Sequence, residues 1–234
     1  MPHIVKSFDA ELAKLEDALS RMGGLAEAQL DAAIRALEKR DSELAARVVS
    51  DDAQVDACET FIGEQAIKVL ALRAPVANDL RTVVSALKVA GEIERIADLA
   101  ANGAKRSLVL SQLPALKPMH SVIRLGRLAQ EMVKDGLDAY LGRDAERALA
   151  VRERDQELDD VYSSLFREIL TYMMEDPRTI TPCSHLMFIA KNLERIGDHA
   201  TNISELTYFR VTGAAVTGER PKKDNSSFVG TESE

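Results

Sequence analysis

Apolar residues recur at three- and four-residue intervals along nearly the whole chain, and period-two alternation is almost absent. Phe8, Leu12, Leu15 and Leu19 open the first stripe, which continues through Met22, Leu25, Leu30, Ile34 and Leu37. That spacing predicts a helix over about residues 7–38, with Gly23-Gly24 as its one soft spot. Arg40-Asp41-Ser42-Glu43 breaks the stripe and starts a second helix. Asp41 or Ser42 serves as N-cap there, and Glu43 suits the positive end of the helix dipole. The second helix runs to Arg73, where Ala74-Pro75 stops it, because a residue before proline is pushed out of the helical region. A third helix starts near Asn78-Asp79 and reaches about Leu110, and Pro114 and Pro118 frame a short linker.

Beyond the linker the pattern repeats. Residues 119–141 predict a fourth helix, and Arg143-Asp144-Ala145-Glu146 restates the earlier junction. The fifth helix runs to Glu175, Asp176-Pro177 answers Ala74-Pro75, and the sixth ends near Val211-Thr212-Gly213. Short connections force neighbouring helices to be antiparallel. The prediction is an all-α fold, a tandem duplication of a three-helix up-down-up bundle packed as one elongated six-helix body. The first bundle covers residues 1–113 and the second 114–212. Residues 213–234 form a tail too poor in apolar side chains to fold alone, expected to be flexible.

The duplication is sharpest in the third and sixth helices. Ala90 to Asn102 reads A-G-E-I-E-R-I-A-D-L-A-A-N and returns at Ala190 to Asn202 as A-K-N-L-E-R-I-G-D-H-A-T-N. The shared residues are mostly polar, whereas a core would share apolar ones. Glu94, Asp98 and Asn102 form one helical stripe, as do Glu194, Asp198 and Asn202. The second helix adds Asp52 and Asp56, with Glu59 a turn on; the fifth adds Asp155 and Asp159, with Tyr162 where Glu59 stood. Counted from Pro75, Asp56 and Glu94 each lie about 19 residues away, or roughly 28 Å, at the same height. The same count around Pro177 sets Asp159 near Glu194 or Asp198. Each half therefore brings about four carboxylates to one level.

Such a cluster stays ionised only if a cation compensates it. Carboxylates with a nearby amide and no thiolate suit hard ions such as Mg²⁺, Mn²⁺, Ca²⁺ or ferrous or ferric iron, with Zn²⁺ also in the set. The candidate ligands are Asp52, Asp56, Glu94 and Asp98 in one half and Asp155, Asp159, Glu194 and Asp198 in the other. A single Glu-x-x-x-Asp is equally well a solvated face paired with Arg95 or Arg195. Retention of the acids in both copies is what favours metal.

Composition narrows the function. With 46% hydrophobic residues, no tryptophan and few aromatics, the chain suits packed helices. A net charge of −8 argues against a general nucleic-acid binder. No apolar run approaches the roughly 20 residues needed to span a bilayer, and Asp9, Glu11 and Glu16 make the N-terminus unlike a signal peptide. Cys58 and Cys183 are not spaced as a metal pair and read as reduced thiols of a cytosolic protein. His3, His120, His185 and His199 are scattered, and His199 reads as interfacial or exposed. The Glu-x-x-His motif of di-iron bundles is missing, because Ala97 and Gly197 stand at the third position after Glu94 and Glu194. Arg81 and Lys88 occur in the first half only and read as local pairing partners. The rival reading is an enzyme, a metal-dependent phosphohydrolase or a redox di-metal protein. It is weakened because no histidine or lysine repeats beside both acid stripes.

Two Glu-Arg-Ile-x-Asp helices in tandem three-helix bundles, with Asp79-Leu80-Arg81 opening the first, resemble the PhoU family. The resemblance covers about residues 5–223, including Thr217-Gly218-Glu219-Arg220-Pro221-Lys222-Lys223. It implies a non-enzymatic, cytoplasmic, dimeric negative regulator of the phosphate-starvation response. The implied partners are the ATPase subunit of the Pst phosphate importer and a phosphate-sensing membrane histidine kinase. It also implies metal clusters at Glu94/Asp98 and Glu194/Asp198. The second half departs at Thr179-Ile180-Thr181, where the Asp-Leu-Arg counterpart would fall.

Overall fold

A computed structural model describes residues 2–217, with side chains from residue 8 onward. Its helices are α1 (Pro2–Lys39), α2 (Ser42–Arg73), α3 (Ala77–Leu110), α4 (Met119–Gly142), α5 (Ala145–Glu175) and α6 (Ile180–Thr212), and the described residues contain no strand. Most of the tail expected to be flexible, residues 218–234, lies outside the described residues.

The helix ends follow from their caps. The Asp41 carboxylate accepts the Leu44 N–H at 2.9 Å, and its repeat Asp144 accepts the Arg147 N–H at 3.0 Å. Each satisfies a donor that the first helical turn leaves unpaired. The residues just before these caps, Arg40 and Arg143, are left-handed, with φ of 57° and 53°. Arg40 offsets that strain through its guanidinium, which donates to Leu110 O at 3.1 Å and Ser111 O at 2.9 Å and so ties the α1–α2 corner to the end of α3. The proline stops differ in detail between halves. Ala74 turns left-handed with φ 45°, whereas Asp176 is extended and its carboxylate caps a single 3₁₀ turn, Pro177–Thr179, ahead of α6.

Helices α1, α3, α4 and α6 make the centre, and α2 and α5 flank it, α2 against α1 and α3 and α5 against α4 and α6. One apolar core runs through both halves and includes Leu30, Ile34, Ile93, Ile96, Leu125 and Leu193. Gly23, read from sequence as a soft spot, lies within unbroken helix. A Cβ there would stand 3.2 Å from Leu137 Cδ1 of α4, and one on Gly126 would stand 3.1 Å from Ile34 Cγ1 of α1. These glycines let α1 and α4 close on each other across the repeats.

The other contact between repeats pairs α3 with α6, antiparallel. On one side Asn192 donates to Leu99 O at 3.4 Å; on the other, His199 Nδ1 meets Glu92 Oε2 at 2.6 Å and Asn202 donates to the same oxygen at 3.0 Å. Residues 92 and 199 exchange with 192 and 99, so the halves are related by an approximate twofold axis at this seam. His199 is thus interfacial, as its sequence position suggests, and Arg81 donates locally to the side-chain Oδ1 of Asn78.

Two candidate metal centres

Within each repeat, the stripe that carries the shared acids turns away from the seam toward the flanking helix. In the first half Glu94 of α3 feels the charges of Asp98, Glu59 and Asp56, and Asp56 feels those of Asp52 and Asp98. The acids expected at one level do come together there. Asp52 sits at the inner edge, where Gln29 of α1 donates to it at 2.8 Å and reaches Ala97 O at 3.3 Å. Burial pushes the Glu94 carboxyl above the usual carboxylate range; Arg95 opposes this, and Asp98, Glu59 and Asp56 reinforce it. Burial, Asp52 and Asp98 push Asp56 the same way. Arg95 is a loose counter-ion, 61% exposed, at 3.4 Å from Glu94 and 3.9 Å from Asp98.

The second half repeats the arrangement at greater depth. Asp155, Asp159 and Glu194 are only 2%, 4% and 5% exposed, whereas Asp56 is exposed and Glu94 partly so. Burial raises the Glu194 carboxyl; Lys191 opposes the shift, and Asp198 and Asp159 add to it. Lys191 Nζ lies 3.0 Å from Glu194 Oε2 and 5.0 Å from the centre of the Tyr162 ring. Asp155 lies beside α6, where Thr201 donates to it at 3.2 Å.

The halves also differ in the apolar residues between the acids. The first half places Val55 of α2 and Ala97 of α3 at the buried α2–α3 contact, and the second places Leu158 and Gly197 at the equivalent positions. A Cβ on Gly197 would come within 2.0 Å of Leu158 Cδ2. A methyl group has in effect moved from α6 to α5, so Leu158 seats directly on the α6 backbone.

Among the described residues, no three or more of His, Cys, Asp and Glu converge as ligands of one ion with the side chains as they stand. The donor chemistry nevertheless fits a hard cation: oxygen donors only, with carboxyls in each wall raised by burial and by one another. A cation held here would draw neighbouring carboxylates together. Three residues that bear on the walls went unassigned in the sequence: Glu59, Gln29 and Lys191. Glu59 was signalled by its spacing from Asp56. Lys191 was signalled by a difference between the repeats, since Gly91 stands at its place in the first half.

The raised carboxyls set a pH dependence. Glu94, Asp56 and Glu194 bind protons more tightly folded than unfolded, so in chelator-treated protein stability should rise as pH falls from neutral into the ordinary carboxylate range. Glu16, Asp31 and Asp138 are shifted the opposite way by arginine and lysine partners, and their contribution is lost at lower pH, through their depressed values. Melting in EDTA should therefore give a higher Tm near about pH 5 than at pH 7, and Mn²⁺ at pH 7 should remove the difference. A Tm that falls steadily from pH 7 downward would contradict it.

The PhoU domain model matches residues 19–107 and 122–207, one match per repeat. A phosphate-specific transport system accessory protein PhoU homolog of Rhizobium meliloti is 49% identical over 231 residues, 98% of this chain and 97% of that protein. A homolog of the same name from Caulobacter vibrioides is 48% identical over 95% of this chain and 97% of its own length. Among solved structures, PhoU from Pseudomonas aeruginosa superposes with a TM-score of 0.86 at 40% identity, covering 88% of this chain and 100% of that one. The phosphate transport system regulatory protein PhoU from Streptococcus pneumoniae gives 0.83 at 29% identity, over 90% and 99%.

Proposed function

This chain belongs to the PhoU family, and on that premise we propose that it is a cytoplasmic accessory protein of phosphate uptake and a negative regulator of the phosphate-starvation response. It acts as an adaptor between the ATPase subunit of the Pst importer and a phosphate-sensing membrane histidine kinase, working as a homodimer. The relatives' names, which place them with the phosphate-specific transport system, support the transport half of this reading. No helix among the described residues is long and apolar enough to cross a membrane, which suits a protein that meets membrane complexes from outside the bilayer.

The observation that carries the reading is the pair of carboxylate walls held on equivalent helices of the two repeats. Asp56, Glu94 and Asp98 would hold a divalent or ferric ion on the first wall with Asp52 beside them, and Asp159, Glu194 and Asp198 on the second with Asp155 beside them. A bound cation would supply positive potential on an acidic surface and attract an anion such as phosphate. The chain's own residues set where that happens: Gln29 fixes Asp52 against α1, and Thr201 fixes Asp155 against α6.

The test pairs metal analysis with partner capture. Purified wild-type protein should carry metal that Glu94→Gln/Asp98→Asn loses in part. Tagged protein should retain the importer ATPase and the kinase from phosphate-replete cells. Unchanged metal content in the variant would remove the ligand assignment, and absence of both partners would remove the adaptor role.

A further inference from the structure

The two walls differ in one respect that their shared acids conceal. Arg95 is paired with the acids of the first wall, and its repeat Arg195 is also present in the second half, so the arginines do not distinguish the walls. The second has Lys191, three residues before Glu194 on the same helix face, where the first has Gly91. The ammonium is not a loose surface group. It is held between a carboxylate that is almost fully buried and the face of a buried tyrosine, at 3.0 Å from one and 5.0 Å from the centre of the other. Both contacts are those a cation seeks. Tyr162 in turn replaces Glu59, so the second half exchanges an acid for a ring that cradles the ammonium.

We propose that Lys191 is a tethered counter-ion that fills the cation position of the second wall, so that the two walls take up metal unequally. The first wall loads directly. The second loads only when Lys191 withdraws, and its affinity is set by that displacement. This rests on the reading of the walls as cation sites, and it assigns Lys191 and Gly91 as the residues that determine which wall is filled. Lysine suits the role because its ammonium is a compact charge on a flexible stem. About 42% of its side chain is exposed, which leaves it a path to solvent.

Calorimetric titration of the full chain with Mn²⁺ tests this, alongside Lys191→Gln, Gly91→Lys and the two double variants of the walls. A Cβ on Gly91 meets nothing within 4 Å, so the helix admits a side chain at this position. Wild-type protein should show a tight class and a second class weaker by about tenfold or more, the scale expected when a nearby unit charge must be displaced. Lys191→Gln should bring the second class toward the first, and Gly91→Lys should weaken the first toward the second. Glu94→Gln/Asp98→Asn should remove the tight class and leave the weak one. Equal classes in wild type, an unchanged isotherm for Lys191→Gln, or loss of the tight class in Glu194→Gln/Asp198→Asn would overturn the role of Lys191 and leave the metal reading intact. No uptake by either wild type or Lys191→Gln would overturn the metal reading itself, and this inference with it.

Discussion

Glu16→Ala should lower the free energy of unfolding by about 3 kcal/mol, the low end of the cost of leaving a buried charge without its partner. Arg210, near the end of α6, is 7% exposed, and its guanidinium ion-pairs with Glu16 of α1. It also donates to Tyr140 O at 3.3 Å and lies 4.7 Å from the centre of the Tyr140 ring. Glu16 thus joins the first helix to the ends of the fourth and sixth. Arg143 adds a bond to the same carboxylate at 2.8 Å but is 60% exposed and contributes little. The value stays near the low end because Glu16 itself keeps a third of its surface in solvent. Denaturant unfolding checks the figure, and Glu16→Ala/Arg210→Met should regain most of the loss, because no charge is then stranded. A loss under about 1 kcal/mol in the single variant would show that Arg210 does not depend on Glu16.

Gly197→Ala should cost about 2 kcal/mol, although alanine favours a helix by about 1 kcal/mol over glycine. The new methyl would collide with Leu158 Cδ2, and Leu158 is wholly buried, so its side chain must turn within the core. Leu158→Val alone should cost about 1 kcal/mol by leaving a small void. Together the two changes reproduce the Val55/Ala97 pair of the first half, and the double variant should return close to wild-type stability. That non-additivity, read from unfolding curves of all four proteins, is the signature. Additive losses would show that Leu158 and Gly197 are not energetically coupled across α5 and α6.

Much of the architecture was legible in the chain because it rests on local rules. Asp41 and Asp144 mark helix starts through cap chemistry that any sequence window shows, and Pro75 and Pro177 mark helix ends. The repeat was visible because Glu94, Arg95 and Asp98 recur as residue types, and helical rise then set Asp56 opposite Glu94. The arrangement of the walls was less legible, because depth is decided through space. Nothing adjacent to Asp159 reveals that it is 4% exposed, because burial depends on what packs over it from other parts of the chain. The packing role of Gly23 was hidden for the same reason, since its partner Leu137 lies on the opposite repeat. Lys191 does not stand out among the residues the repeats share, because its meaning lies in a difference between them.

The antiparallel pairing of α3 with α6 has a consequence for how the two halves can diverge. Two equivalent helices crossing about a twofold axis form the isologous contact of a symmetric dimer. Here the partners are joined by residues 111–118, so the molecule has the geometry of a dimer of half-length subunits within one covalent chain. In a true dimer every substitution appears twice, and a lysine placed at one wall would be placed at both. Covalent joining lifts that constraint: Glu92 and Asn192, Gly91 and Lys191, and Glu59 and Tyr162 are pairs that identical subunits could not hold. The linker thereby converts a symmetric scaffold into one whose two halves are chemically distinguishable.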